Sequence, residues 1–79
     1  MAVNLLFFGP IADEIGQRSV NIDPPSGCTS LSLVEDVRRE YPGLDRHKLL
    51  FSLNQQFASG DEIVRDGDEL AIFTPVSGG

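Results

Sequence analysis

The sequence predicts an α+β domain, a mixed sheet of four to five strands with one main helix packed across it. Three observations carry this. At 79 residues the chain has material for a single small domain. Only the stretch from Leu31 to Tyr41 repeats apolar residues at helical spacing, and short apolar strand candidates lie on both sides of it. A helix of that length can serve as the crossover that parallel neighbours require, so the first and last strands are expected to run parallel in the centre of the sheet.

Taken in order, "VNLLFF" (Val3 to Phe8) is the first strand, short and apolar, and Gly9-Pro10 ends it. "IADEIG" makes a helical turn closed by Gly16 as its C-cap. "RSVNI" (Arg18 to Ile22) alternates and reads as a second strand, stopped by "DPPSG". The main helix starts between residues 30 and 33, with Thr29, Ser30 and Ser32 all able to cap it and Ser32 with Glu35 fitting a capping box. Its apolar stripe comprises Leu31, Leu33, Val34, Val37 and Tyr41, and Pro42-Gly43 ends it. "LLFSLN" (Leu49 to Asn54) is a third strand with Leu49, Phe51 and Leu53 on one face and Leu50, Ser52 and Asn54 on the other. A minor strand is expected around Phe57, a turn at "RDGDE", and a last strand at "ELAIF" (Glu69 to Phe73). A β-grasp, or ubiquitin-like, arrangement satisfies this order: a domain over residues 1–75, followed by a flexible functional tail over 76–79.

Composition narrows the function. Six basic residues face twelve acidic ones, a net charge of -6, and no basic run exceeds two residues. Such a chain gains nothing from counterion release on nucleic acid, and suits a partner with a basic surface. No apolar run approaches the ~20 residues of a membrane span. Val3 to Phe8 is broken by Asn4 and has no basic residue before it, unlike a signal peptide. The single cysteine, Cys28, points to a reducing, cytoplasmic compartment.

Side-chain chemistry is sparse. His47 is the one histidine, read as an exposed loop residue, and a lone ligand type builds no metal site. Cys28 has no histidine near it in sequence to activate it and reads as a small residue at the helix entry. Asp66, Asp68 and Glu69 turn into a strand at once, so they form a turn with solvated carboxylates and not a calcium loop. Attention moves to "PVSGG". Without a Cβ on Gly78 or Gly79, a tail threads channels too narrow for any side chain. Four extended residues, Val76 to Gly79, reach about 13 Å. An enzyme can adenylate a terminal carboxylate presented this way and pass the acyl group onward. Frayed termini are common, and this reading competes with that one.

The strand alternation supplies a second feature. If Leu70 and Ile72 face the helix, Phe73 faces out, and on the first strand Leu6 and Phe8 share that outer face. With Phe57 from the adjoining segment, three aromatics gather near the tail. Phe8, Phe57 and Phe73 are expected to be largely exposed, with Leu6 at the edge, as a partner surface.

"KLLFSLNQQFASGDEIVRDGDELAIFTPVSGG" (Lys48 to Gly79) closely resembles the C-terminal part of the molybdopterin synthase small subunit family, and "VNLLFFGPIADEIG" resembles its opening. The hallmarks are "LNQ", "DGDELAIF" and "PVSGG". The resemblance implies a sulfur carrier that binds no cofactor and carries a covalent 1-thioglycine at Gly79 when charged. A ubiquitin-activating-like, ATP-using adenylyltransferase would activate Gly79, and a sulfur donor protein would convert it to a thiocarboxylate. The tail would then enter the large subunit, in a heterotetramer of two small and two large subunits, and give its sulfur to cyclic pyranopterin monophosphate. Two charged carriers would serve each dithiolene, and the catalytic pocket would lie on the large subunit. Phe8, Phe57, Phe73, Pro75 and Val76 match apolar partner positions, and Lys48 matches a lysine near the carrier surface. Ala12 stands where the family often has arginine, and Thr74 replaces the first of a common Pro-Pro pair. A ubiquitin-like protein modifier and a carrier for another pathway, such as thiamine thiazole synthesis, are the alternatives.

Overall fold

Strand β1 (Val3–Phe7) sets the inside and outside of the sheet. Val3, Leu5 and Phe7 are each at most 3% exposed, while Asn4 and Leu6 are half-buried on the other face. The computed structural model describes residues 1–75, and the expected tail at 76–79 lies outside them. Gly9, at φ 57°, turns the chain at the expected position; β1 itself ends one residue before the end of the apolar run, although the Phe8 N–H still donates to the Ile72 carbonyl at 3.2 Å. Helix α1 (Pro10–Ile15) follows, its proline where no N–H is needed and its end closed by Gly16 at φ 83°.

Strand β2 (Ser19–Ile22) returns antiparallel to β1, with Val3 opposite Ile22 and Leu6 opposite Ser19. Helix α2 (Ser30–Glu40) then crosses the sheet. Its cap is Thr29, whose hydroxyl accepts from the Ser32 N–H, while the Thr29 N–H donates to Ser32 Oγ at 3.0 Å. The box expected from Ser32 and Glu35 is therefore shifted by one turn, because Ser32 is itself the third helical residue. The buried stripe is Ser30, Leu33, Val34 and Val37. Leu31, expected in that stripe, is 44% exposed, because the 30-33-34-37 spacing points it away from the sheet. A 3-10 helix (Pro42–Arg46) follows and buries Leu44 completely.

The last three strands are β3 (Leu50–Leu53), β4 (Gln56–Phe57) and β5 (Glu69–Phe73). Their order in the sheet is β2-β1-β5-β3-β4, with β5 parallel to β1 and antiparallel to β3. This is the β-grasp arrangement, with the expected central parallel pair. Leu70 and Ile72 are fully buried between β1 and β3, and join Leu5, Phe7, Leu33, Val34 and Val37 in one core. Each such side chain contributes about 1.5–3 kcal/mol through burial.

Candidate functional site

The register fixes what the outer face of the sheet presents. Because Leu70 and Ile72 point inward, Glu69, Ala71 and Phe73 point outward. Leu6 stands opposite Ala71, Ala71 opposite Ser52, and Ser52 opposite Phe57, so one row crosses four strands. In the next row Leu50 stands opposite Phe73. Leu6, Leu50, Phe57, Ala71 and Phe73 thereby share one face. Phe8, just past the end of β1, is held beside Ile72 by its backbone hydrogen bond. Thr74 and the exposed Pro75 lead the chain away from Phe73.

Phe8 is 51% exposed and Phe57 80%, as expected for both. Phe73 departs from expectation and is half-buried. The Phe57 ring lies 5.9 Å from it, centroid to centroid, at a tilted 56°, and covers part of it. Leu50 is a member that sequence reasoning assigned to this side of its strand but not to the patch. Only the register between β3 and β5 sets it against Phe73. Lys48 is exposed two residues before Leu50. Val76, Gly78 and Gly79 lie outside the described residues.

A tight turn brings Phe57 over the sheet. Asn54 and Gln55 connect β3 to β4 with φ of 51° and 71°, both left-handed, in the manner of a two-residue type I′ hairpin. Asn54 anchors that turn to the neighbouring loop. Its backbone N–H donates to the Glu69 carbonyl at 2.8 Å, its Oδ1 accepts from the Glu69 N–H at 3.0 Å, and its Nδ2 donates to Asp68 Oδ1 at 3.0 Å. The "LNQ" and "DGDE" segments are thus two halves of one hydrogen-bonded support beneath the patch.

The carboxylates of this region are committed to structure. Asp68 accepts from Asn54 and from the Arg65 N–H, which holds its carboxyl below the usual range. Asp66 accepts from the Ala2 N–H at 2.6 Å. Glu62 accepts from Ser30 Oγ and from the N–H groups of Ser59 and Gly60, and its pKa falls from 4.5 to about 2. A carboxyl held this way stays ionised and is no proton donor near neutrality. His47, expected as an exposed loop residue, is half-buried, with Nε2 3.7 Å from Glu14 Oε1, which also takes Arg46 Nη2 at 2.7 Å. The 3-10 helix places His47 and Arg46 against α1, a tertiary contact that local sequence does not show. Among the described residues, no group of three or more His, Cys, Asp or Glu is placed to hold a metal ion.

Known proteins resemble this chain over nearly its whole length. A human protein named molybdopterin synthase sulfur carrier subunit is 33% identical over 98% of this chain and 93% of its own length. Among solved structures, small archaeal modifier protein 1 of Haloferax volcanii superposes with a TM-score of 0.83 at 25% identity, covering 95% of this chain and 98% of that one. Another, a protein–protein complex of subunits 1 and 2 of molybdopterin-converting factor from Helicobacter pylori, contains a chain that matches with a TM-score of 0.72 at 26% identity, with both chains fully covered. The ThiS family pattern matches residues 5–79, from the first strand through both terminal glycines, and the chain belongs to the ThiS family.

Proposed function

We propose that this chain is the sulfur carrier subunit of a molybdopterin synthase. Gly79 is its working residue and the Leu6-Phe8-Leu50-Phe57-Phe73 face its docking surface. The observation that carries the reading is the placement of that apolar face at the end of β5, the strand from which Thr74 and Pro75 lead toward the glycines. Full-length similarity to a named sulfur carrier supports it, as does the solved complex of a structural relative with a second subunit.

In this reading an ATP-using enzyme joins the Gly79 carboxylate to AMP, releasing pyrophosphate. The outer sulfur of a persulfide-type donor displaces the AMP to give an acyl disulfide, and a thiol reductant cleaves its S–S bond, releasing the donor as a thiol and leaving a terminal thiocarboxylate. That soft nucleophile then attacks cyclic pyranopterin monophosphate inside the large subunit, and water hydrolyses the resulting thioester, which leaves the sulfur on the pterin and returns the carrier as a carboxylate. None of these steps requires a histidine, a metal or a general base on the carrier. Lys48, Pro75 and Val76 contribute to partner contact, and Gly78 provides clearance for the tail. The setting is cytoplasmic, and the assembly holds two small and two large subunits.

Intact-mass measurement tests the chemistry. Incubation with ATP, an activating enzyme and a sulfur source should replace one oxygen by sulfur at Gly79. The similarity to small archaeal modifier protein 1 favours a second reading, a protein modifier joined to target lysines through the same carboxylate. Lysine conjugates in cells without any thiocarboxylate would select it. Complementation separates a third possibility: restored molybdoenzyme activity in a strain lacking its own carrier supports the proposal, and restored thiamine synthesis instead opposes it.

A further inference from the structure

A groove of about 450 Å³ lies between β2 and α2, and it shares no residue with the docking face described above. Its floor is apolar, formed by Val20 and Ile22 from β2, Leu33 and Val37 from α2, and Tyr41 at the helix end. Asp23, Asp36 and Glu40 also line it, and no lysine, arginine or histidine does. Asp23 pairs with the amino terminus and Asp36 with Arg39, both carboxylates being exposed. Glu40 has no ion pair among the described residues. Exposed pairs of this kind are weak and yield to a competing cation.

The sheet edge beside this groove is open. β2 is the outermost strand on that side. The Phe7 N–H donates to the Arg18 carbonyl at 2.9 Å, so by antiparallel alternation Val20 and Ile22 spend their backbone groups on β1. Ser19 and Asn21 then turn theirs to the open side, while Val20 and Ile22 point their side chains into the groove. Ser19–Ile22 contains no proline or lysine, the usual protections of an exposed edge. The opposite edge, β4, is only two residues long.

We propose that this groove docks an extended segment of another protein, with an apolar centre flanked by lysine or arginine, which adds to β2 as a sixth strand. The apolar centre covers Val20, Ile22 and Val37, and the basic flanks meet Asp23, Asp36 and Glu40. Charge selects this occupant over others. A net charge of -6 and a groove lined by carboxylates repel nucleic acid and anionic lipid, and a second copy would set two acidic rims together. Because the groove and the aromatic face are separate, a partner held here leaves Phe57 and Phe73 free.

The test is a titration of the isotope-labelled full chain with a synthetic peptide of about eight residues, Val-Ile-Val-Ile flanked by lysines, followed by amide chemical shifts. Expected shifts centre on Ser19, Asn21, Leu33 and Val37 and weaken with added salt. The surface variant Asp36→Lys/Glu40→Lys should bind about tenfold more weakly while keeping its spectrum. A glutamate-flanked peptide, and one N-methylated along its centre, should both fail to bind. Absence of shifts at millimolar peptide would overturn the proposal, as would shifts centred on Phe57 and Phe73. Equal binding of the glutamate-flanked or N-methylated peptide, or β2-edge dimerisation in sedimentation without peptide, would also refute it.

Discussion

Truncating Phe57 to alanine should separate docking from folding. Phe57 is 80% exposed, so only about a fifth of its area leaves water on folding. Complete burial of such a side chain is worth about 1.5–3 kcal/mol, which makes that fifth about 0.3–0.6 kcal/mol. The tilted contact with Phe73 at 5.9 Å adds a fraction of the ~0.5–1.5 kcal/mol found for good aromatic pairs. The total is near 1 kcal/mol, a melting shift of about 4–8 °C in a domain of this size. Phe7, only 3% exposed, gives the contrast, since Phe7→Ala should cost about 3–5 kcal/mol. A domain of this length has about 4–12 kcal/mol in all. Toward the large subunit the ranking changes. Loss of a central aromatic anchor costs at least ~2 kcal/mol, about thirtyfold in affinity. Phe73→Ala should fall between, weakening both stability and docking, because its side chain is partly buried in the fold already. Thermal melting and calorimetric titration with the large subunit give both numbers for each variant. If Phe57→Ala melts as low as Phe7→Ala, or keeps full affinity, the assignment of the outer face is wrong.

Gln55 sits at φ 71° without being glycine. Gln55→Gly should therefore raise stability by about 0.5–1 kcal/mol in denaturant titration, and a loss would contradict the turn described. Thr29→Ala removes the acceptor for the Ser32 N–H and should cost about 1 kcal/mol, read as a lower urea midpoint with unchanged slope. Glu62 has a folded pKa near 2 against an ordinary 4.5, so its contribution is complete above pH 4.5 and disappears as pH falls toward 2. Glu62→Gln should be less stable at neutral pH and lose stability less steeply over that acid range. An unchanged acid profile would show that the Ser30 and Gly60 contacts do not matter in solution.

The sequence made the element order and the central parallel pair readable because period-two and helical apolar patterns are strong where one face is buried. Leu70, Ile72, Leu5 and Phe7 announce themselves that way. The outer face was harder, because its membership depends on register. Leu50 joins Phe73 only through the β3–β5 ladder, and no local pattern encodes that alignment. The Asn54-Gln55 turn was hidden because its second residue is not the glycine that a left-handed position favours. Thr29 was among the candidate caps and the helix starts within the expected range, but the capping box was displaced for a related reason. Several hydroxyl residues precede the helix, and geometry alone decides that Ser32 answers Thr29 rather than Glu35.

The position of β5 has a consequence for how the protein is made. Among the described strands, the one in the middle of the sheet is synthesised last and its partner β1 first, with Asn4 pairing to Glu69. Contacts so distant in sequence slow folding and cannot form piecemeal. A nascent chain that stops short of β5 keeps only the separate β1–β2 and β3–β4 pairs, with no strand to join them into one sheet. Synthesis must therefore run through the strand that carries Phe73 before the outer aromatic face is complete, so truncated products cannot present the proposed docking surface to a partner.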